Sequence, residues 1–133
     1  MIALLDTNVL VRFLTCDKSK RYRSLYIFFE SLEYGKMQVE LKLIVLFQVC
    51  FVLKSFYKIP KTDIVTGIMN LFEYKGIIIK DKKNIRRMIE IWRDNTLNIV
   101  DCYLIACLEG DTQNLLYSYD HDFDKFEINR KEP

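Results

Sequence analysis

The chain has 133 residues, half of them apolar and 29% charged, which places it in the range of one domain with one core. Its formal net charge is only +2, so charge alone does not mark a nucleic-acid binder, whatever its twenty Lys and Arg do locally. The longest apolar run, Leu43 to Leu53, is interrupted by Gln48 and closed by Lys54, short of the ~20 residues a membrane helix needs.

Ile2 to Leu5 is a short apolar run that suits a buried strand, and it stops at Asp6. It follows Met1 without a basic segment or a small-residue cleavage site, so a cytoplasmic protein is expected. Thr7 to Leu14 has helical spacing, with Val9, Leu10, Phe13 and Leu14 apolar, and Lys18 to Leu32 predicts a second helix that Gly35 ends. Met37 to Leu41 alternates weakly, as a short strand would. Ile44 to Tyr57 reads as a buried helix closed before Pro60, and Thr62 to Phe72 as an amphipathic helix capped by Thr62. The β-branched run Ile77-Ile78-Ile79 predicts a strand. A basic helix, Lys82 to Arg93, comes next, then a helix from Ile99 to Leu108 closed by Gly110, a strand at Leu115 to Ser118, and a final turn from Asp120 to Phe126. Alternating strands and helices imply an α/β fold of three layers around a parallel sheet, in a single domain spanning residues 1–133. Cys16, Cys50, Cys102 and Cys107 show no zinc-ligand spacing and read as reduced core thiols, Cys16 the most exposed.

Ligands of such sheets bind outside the carboxyl ends of the strands. Three acids fall there: Asp6 after the first strand, Asp101 at the start of a helix, and Asp120 after the last strand. Each has a structural explanation, since Asp6 can cap the helix after it, Asp120 can cap the terminal turn, and Asp101 can be the N3 acid of a capping box with Asn98. Jointly they say more. Asp101 shares a helical face with Leu104, Ile105 and Leu108, and buried carboxylates call for protonation, basic partners or a bound cation. Mg²⁺ or Mn²⁺, which take oxygen ligands and keep open coordination positions, meet that need.

The segments Leu4-Leu5-Asp6-Thr7-Asn8-Val9-Leu10, Ile99-Val100-Asp101-Cys102-Tyr103-Leu104-Ile105-Ala106 and Leu115-Leu116-Tyr117-Ser118-Tyr119-Asp120-His121-Asp122-Phe123 resemble the first, third and last motifs of the PIN-domain family, in that family's order. The resemblance implies a three-layer α/β/α fold with a central parallel sheet of four or five strands. It implies a metal-dependent endoribonuclease, the toxin of a toxin–antitoxin pair, with RNA as substrate, a cognate antitoxin as partner and a second copy of the chain in a homodimer. Asp6, Asp101 and Asp120 would be the catalytic and metal-binding acids, with Asn8 and Ser118 orienting ligands and Asp122, ahead of Asp124, in reserve. The second motif departs from the pattern: Gln48 stands where the family places a Glu. It keeps a carbonyl oxygen but no charge, or it is a satisfied core amide in a chain that binds RNA or protein without cutting. Glu40 is a weak substitute. A receiver-like phosphoacceptor domain is a further alternative, although Thr7 and Asn8 stand where adjacent acids would be needed. Asn8 also replaces the second Asp of the haloacid-dehalogenase motif.

Three other features carry ordinary readings. Lys80, Lys82, Lys83, Arg86, Arg87 and Arg93 either follow an RNA backbone or form a solvated face paired with Asp81, Glu90 and Asp94. Lys18, Lys20, Arg21 and Arg23 are a second such patch. Tyr22, Tyr26, Phe28 and Phe29 form an aromatic stripe assigned first to the core, and His121 is read as a surface residue.

Overall fold

The computed structural model describes residues 1–16, 22–111 and 113–133. The chain divides into two compact units, Met1–Lys80 and Asp81–Pro133.

In the first unit, helix α1 (Thr7–Leu14) is capped by Asp6, and α2 (Arg23–Glu33) ends at Tyr34 before Gly35 turns the chain with φ +75°. The Lys18–Leu32 expectation therefore holds from Arg23 on, and Lys18, Lys20 and Arg21 lie outside the described residues. Strand β1 (Val39–Glu40) leads into α3 (Leu43–Phe51), which widens into a π turn at Val52–Phe56. The single helix expected over Ile44–Tyr57 is thus an α-helix whose last turn is loosened. Helix α4 (Lys61–Leu71) starts after Pro60, whose fixed φ suits a helix entry. Thr62 is not its cap: it lies inside the first turn, and Pro60 occupies the cap position without a side-chain bond.

Strand β2 (Ile77–Ile78) pairs in parallel with β1, Val39 opposite Ile77. On the other side of β1 the Ile2–Leu5 strand is reduced to a parallel bridge of Leu4 with Glu40, held by Leu5 N–H to the Glu40 carbonyl at 3.1 Å and Glu40 N–H to the Ala3 carbonyl at 2.8 Å. β1 is the centre of this small sheet. Gly76 precedes β2 because no Cβ fits there: one would strike the Met37 carbonyl and lie 2.8 Å from that of Leu32. Leu10, Phe29, Leu32, Leu46, Val49, Ile68, Leu71 and Phe72 form the core, each contributing about 1.5–3 kcal/mol by leaving water. Phe13 stacks on Phe29 with centroids 3.8 Å apart, so the aromatic stripe is core at Phe29, while Tyr22, Tyr26 and Phe28 are half-buried.

In the second unit, α5 (Lys82–Asp94) packs on α6 (Ile99–Leu108). Ile85, Met88, Ile89 and Trp92 recur at helical spacing on the buried face of α5, against Cys102, Ile105 and Ala106 of α6. Asp81 enters α5 in the left-handed region with φ 57°, which an Asp tolerates. Strand β3 (Leu116–Tyr117) pairs in parallel with β4 (Arg130–Lys131), and a 3₁₀ turn, His121–Lys125, lies between them. The chain therefore does not end in the turn at Phe126. All described strands pair in parallel, as an α/β fold requires, but each is two residues long. Cys50 and Cys102 are buried, and burial pushes the Cys50 thiol up to about 12, an inert group. Cys107 is exposed, as Cys16 is, which corrects its assignment to the core. Among the described residues no helix is long and apolar enough to cross a membrane.

Candidate functional site

Within the first unit, Asp6 stands exposed between the Leu4 bridge and α1, and its Oδ2 accepts the Asn8 N–H at 3.4 Å. Asn8 therefore adjoins the first acid through its backbone. Gln48, on α3, is exposed. The core-amide explanation of that residue fails. The acid buried in this unit is Glu40, its side chain 7% exposed, with Lys42 Nζ at 2.7 Å and Lys80 Nζ at 3.9 Å. The Lys42 hydrogen bond, helped by the charges of Lys42 and Lys80 and opposed by burial, holds its carboxyl below the usual range. Its charge is already compensated by protein cations, so Glu40 does not replace the second-motif acid.

The second unit holds the other acids. The Asn98 side chain caps α6, accepting from Val100 N–H at 2.8 Å and Asp101 N–H at 3.4 Å. A capping box also needs the N3 carboxylate to accept the cap residue's N–H. Among the described residues no such bond joins Asp101 to Asn98, so the Asp101 carboxylate is not engaged in the cap. Asp101 is half-buried, and its pKa is raised, first by burial and then by the charges of Asp120 and Asp122. This is electrostatic evidence that the acids of the third and last motifs lie near one another. Asp120 caps the 3₁₀ turn, its Oδ1 accepting Asp122 N–H at 2.8 Å, and its own N–H donates to Ser118 Oγ at 3.0 Å. Ser118 thus meets the last-motif acid at its backbone N–H rather than at its carboxylate. Asp122 acts on Asp101 through its charge and lies 4.0 Å from Lys125 Nζ.

Nothing in the sequence singles out Arg130. Its guanidinium is bidentate to Asp124 at 2.8 and 3.1 Å, donates to the Ser118 carbonyl at 2.9 Å, and has Nη2 2.9 Å from His121 Nδ1. Asp124, the lesser reserve acid, is therefore already paired. Only the pairing of β3 with β4 brings Arg130 there, and no local spacing announces it. His121 is a surface residue, as expected.

The basic helix carries the ion pairs of a solvated face. Arg87 is bidentate to Glu109 at 3.0 and 3.1 Å and 3.6 Å from Glu90, and Arg93 pairs with Asp94. Lys82, Lys83, Arg86 and Arg87 also line an open groove of about 620 Å³ between α5 and α6, together with the exposed Cys107.

A model of the PIN domain matches residues 3–129. The chain belongs to the PIN-domain family. Comparison with curated proteins finds no match. Membership brings the family's three-layer α/β/α fold, and PIN domains are typically metal-dependent nucleases acting on nucleic acid. It sets aside the receiver-like alternative. The donor chemistry in this PIN domain fits a hard divalent ion: a carboxylate whose charge is disfavoured by burial and by two neighbouring acids, as that of Asp101 is, would be relieved by a cation. Among the described residues no three His, Cys, Asp or Glu group tightly enough to grip an ion unaided.

Proposed function

We propose that this PIN domain is a Mg²⁺- or Mn²⁺-dependent endoribonuclease, with Asp6, Asp101 and Asp120 as its metal acids and Asp122 close by. The observation that carries the reading is the mutual repulsion at Asp101, where burial and two further carboxylates disfavour the charged form. An ion bound by these acids would supply charge stabilisation and a water acidic enough to attack phosphorus near neutral pH. The chain's own work is to hold oxygens in place. Asn98 fixes the first turn of α6 beneath Asp101, and Ser118 and the Asp122 amide fix Asp120. Lys83 and Arg86 offer charge to the phosphates of the RNA. On the motif resemblance, the chain acts in the cytoplasm as a toxin, as a homodimer held in check by a cognate antitoxin.

Gln48 favours a second reading, a PIN domain that binds RNA or protein without cutting it, because the charge of one family acid is missing. One experiment separates the two. Purified protein is incubated with single-stranded and structured RNA in Mn²⁺, in Mg²⁺ and in EDTA, beside Asp101→Asn and Asp120→Asn. Cleavage that needs the metal and disappears in both variants supports the nuclease. RNA retained uncut, with an affinity indifferent to metal and to both variants, establishes the second reading.

A further inference from the structure

We propose that Arg130 is a positioning residue for the last-motif acids: its guanidinium ties down both ends of the Ser118–Asp124 turn and so fixes the orientation of the Asp120 and Asp122 carboxylates. The inference rests on the metal-site reading above and adds a residue to it that lies outside the three motifs.

The geometry is that of a clamp. Upstream of Asp120, Arg130 Nη1 donates to the Ser118 carbonyl at 2.9 Å. Downstream, Nε and Nη2 hold the two oxygens of Asp124 at 2.8 and 3.1 Å. Between those anchors the turn is closed by Asp120 N–H to Ser118 Oγ and by Asp122 N–H to Asp120 Oδ1. The Arg130 side chain is 10% exposed while Asp124 is 51% exposed, so the buried partner is the cation. A planar guanidinium can bridge a carboxylate and a carbonyl at once; an ammonium cannot reproduce that fork. Asp124 further serves by occupying the guanidinium, whose charge interacts with that of Asp120 as well. Glu132, 3.9 Å from Nη1, shares that load.

A merely structural latch would change stability and leave the folded protein's metal affinity alone. The test therefore uses Arg130→Lys, which keeps the charge, and Arg130→Ala, with two readouts. Amide hydrogen exchange at Asp120 and Asp122 is expected to quicken about tenfold in the Lys variant while α5 and α6 amides stay protected. Mn²⁺ binding by calorimetry is expected to weaken about 10–100-fold, the usual effect of losing a group that orients ligands. If Arg130→Ala does not fold, Arg130→Lys decides. Parent-like exchange in Arg130→Lys overturns the clamp, and faster exchange with unchanged Mn²⁺ affinity overturns its positioning role. A parent protein that binds no Mn²⁺ sinks the metal reading instead, while the exchange measurement still decides the clamp.

Discussion

Asn98 is where the fold and the candidate site can be tested by one atom. Its side-chain oxygen accepts from Val100 N–H at 2.8 Å and from Asp101 N–H at 3.4 Å, so Asn98→Ala leaves two N–H groups at the start of α6 without that acceptor. The usual cost of losing such a cap is about 1 kcal/mol. Unfolding entropy of about 2.1 cal/mol/K per residue, taken over 133 residues, is about 0.3 kcal/mol/K, so Tm should fall by about 3–4 °C. Asn98→Asp keeps an acceptor, and its charge suits a helix N-terminus; it should melt within about 1 °C of the parent. Loss of the cap also lets the first turn fray, and about 1 kcal/mol shifts the ratio of frayed to formed turn roughly fivefold against the turn that holds Asp101. Mn²⁺ binding by Asn98→Ala should weaken by up to about that factor. Calorimetric melts and Mn²⁺ titrations of the three proteins suffice. If Asn98→Ala melts with the parent, or if Asn98→Asp falls as far as Asn98→Ala, the cap does not hold Asp101 and the argument for α6 is wrong.

Three further outcomes are expected. Asp101→Asn should raise stability at neutral pH, because a carboxyl whose folded pKa is raised costs stability once ionised; that gain should vanish as pH falls below the ordinary Asp range, where both states are protonated. Melts at pH 7 and pH 3 check the sign, and a gain that persists at pH 3 contradicts it. Gln48→Glu should tighten Mn²⁺ binding, yet it should alter metal-free stability by no more than about 0.5 kcal/mol because the side chain is exposed; unchanged binding would place Gln48 outside the metal site. Gly76→Ala should cost about 1–3 kcal/mol, since its Cβ meets the Met37 and Leu32 carbonyls. Urea denaturation measures this, and a loss under 0.5 kcal/mol would show that the backbone gives way there.

How far the sequence carries depends on how local each determinant is. Helix α6 is legible at both ends because Asn98 and Gly110 act within a few residues of the segment they bound. The start of α4 is ambiguous for the same kind of reason, since Pro60 and Thr62 both favour helix entry and only one can stand at the cap. Strand β4 has no signal: Arg130 and Lys131 are charged neighbours of Asn129 and Glu132, without alternation, and only pairing with Leu116 and Tyr117 makes them a strand. Arg130 is invisible with it. Gln48 is legible as a departure from the motif but not as an exposed residue, because the strongly apolar run around it suggests burial on every side.

The acids show why capping and metal binding are not true rivals. An ionised carboxylate offers about four acceptor positions, and the cap at Asp120 uses one of them, the Asp122 N–H on Oδ1. The cap at Asp6 likewise uses one, for Asn8 N–H. Each backbone bond orients its carboxylate and leaves it capacity for a ligand, so finding a cap removes no candidate. What discriminates is charge balance. Glu40 shows the structural solution, a buried acid met by two lysines and held in its ionised form. Asp101 shows the opposite, a half-buried acid pressed by two more acids and pushed towards its neutral form. A fold that places a carboxylate on a buried helix face against others accepts a cost that a cation would reverse. That difference in sign between Glu40 and Asp101, rather than the number of aspartates, is what supports the proposal of a cation beside Asp101.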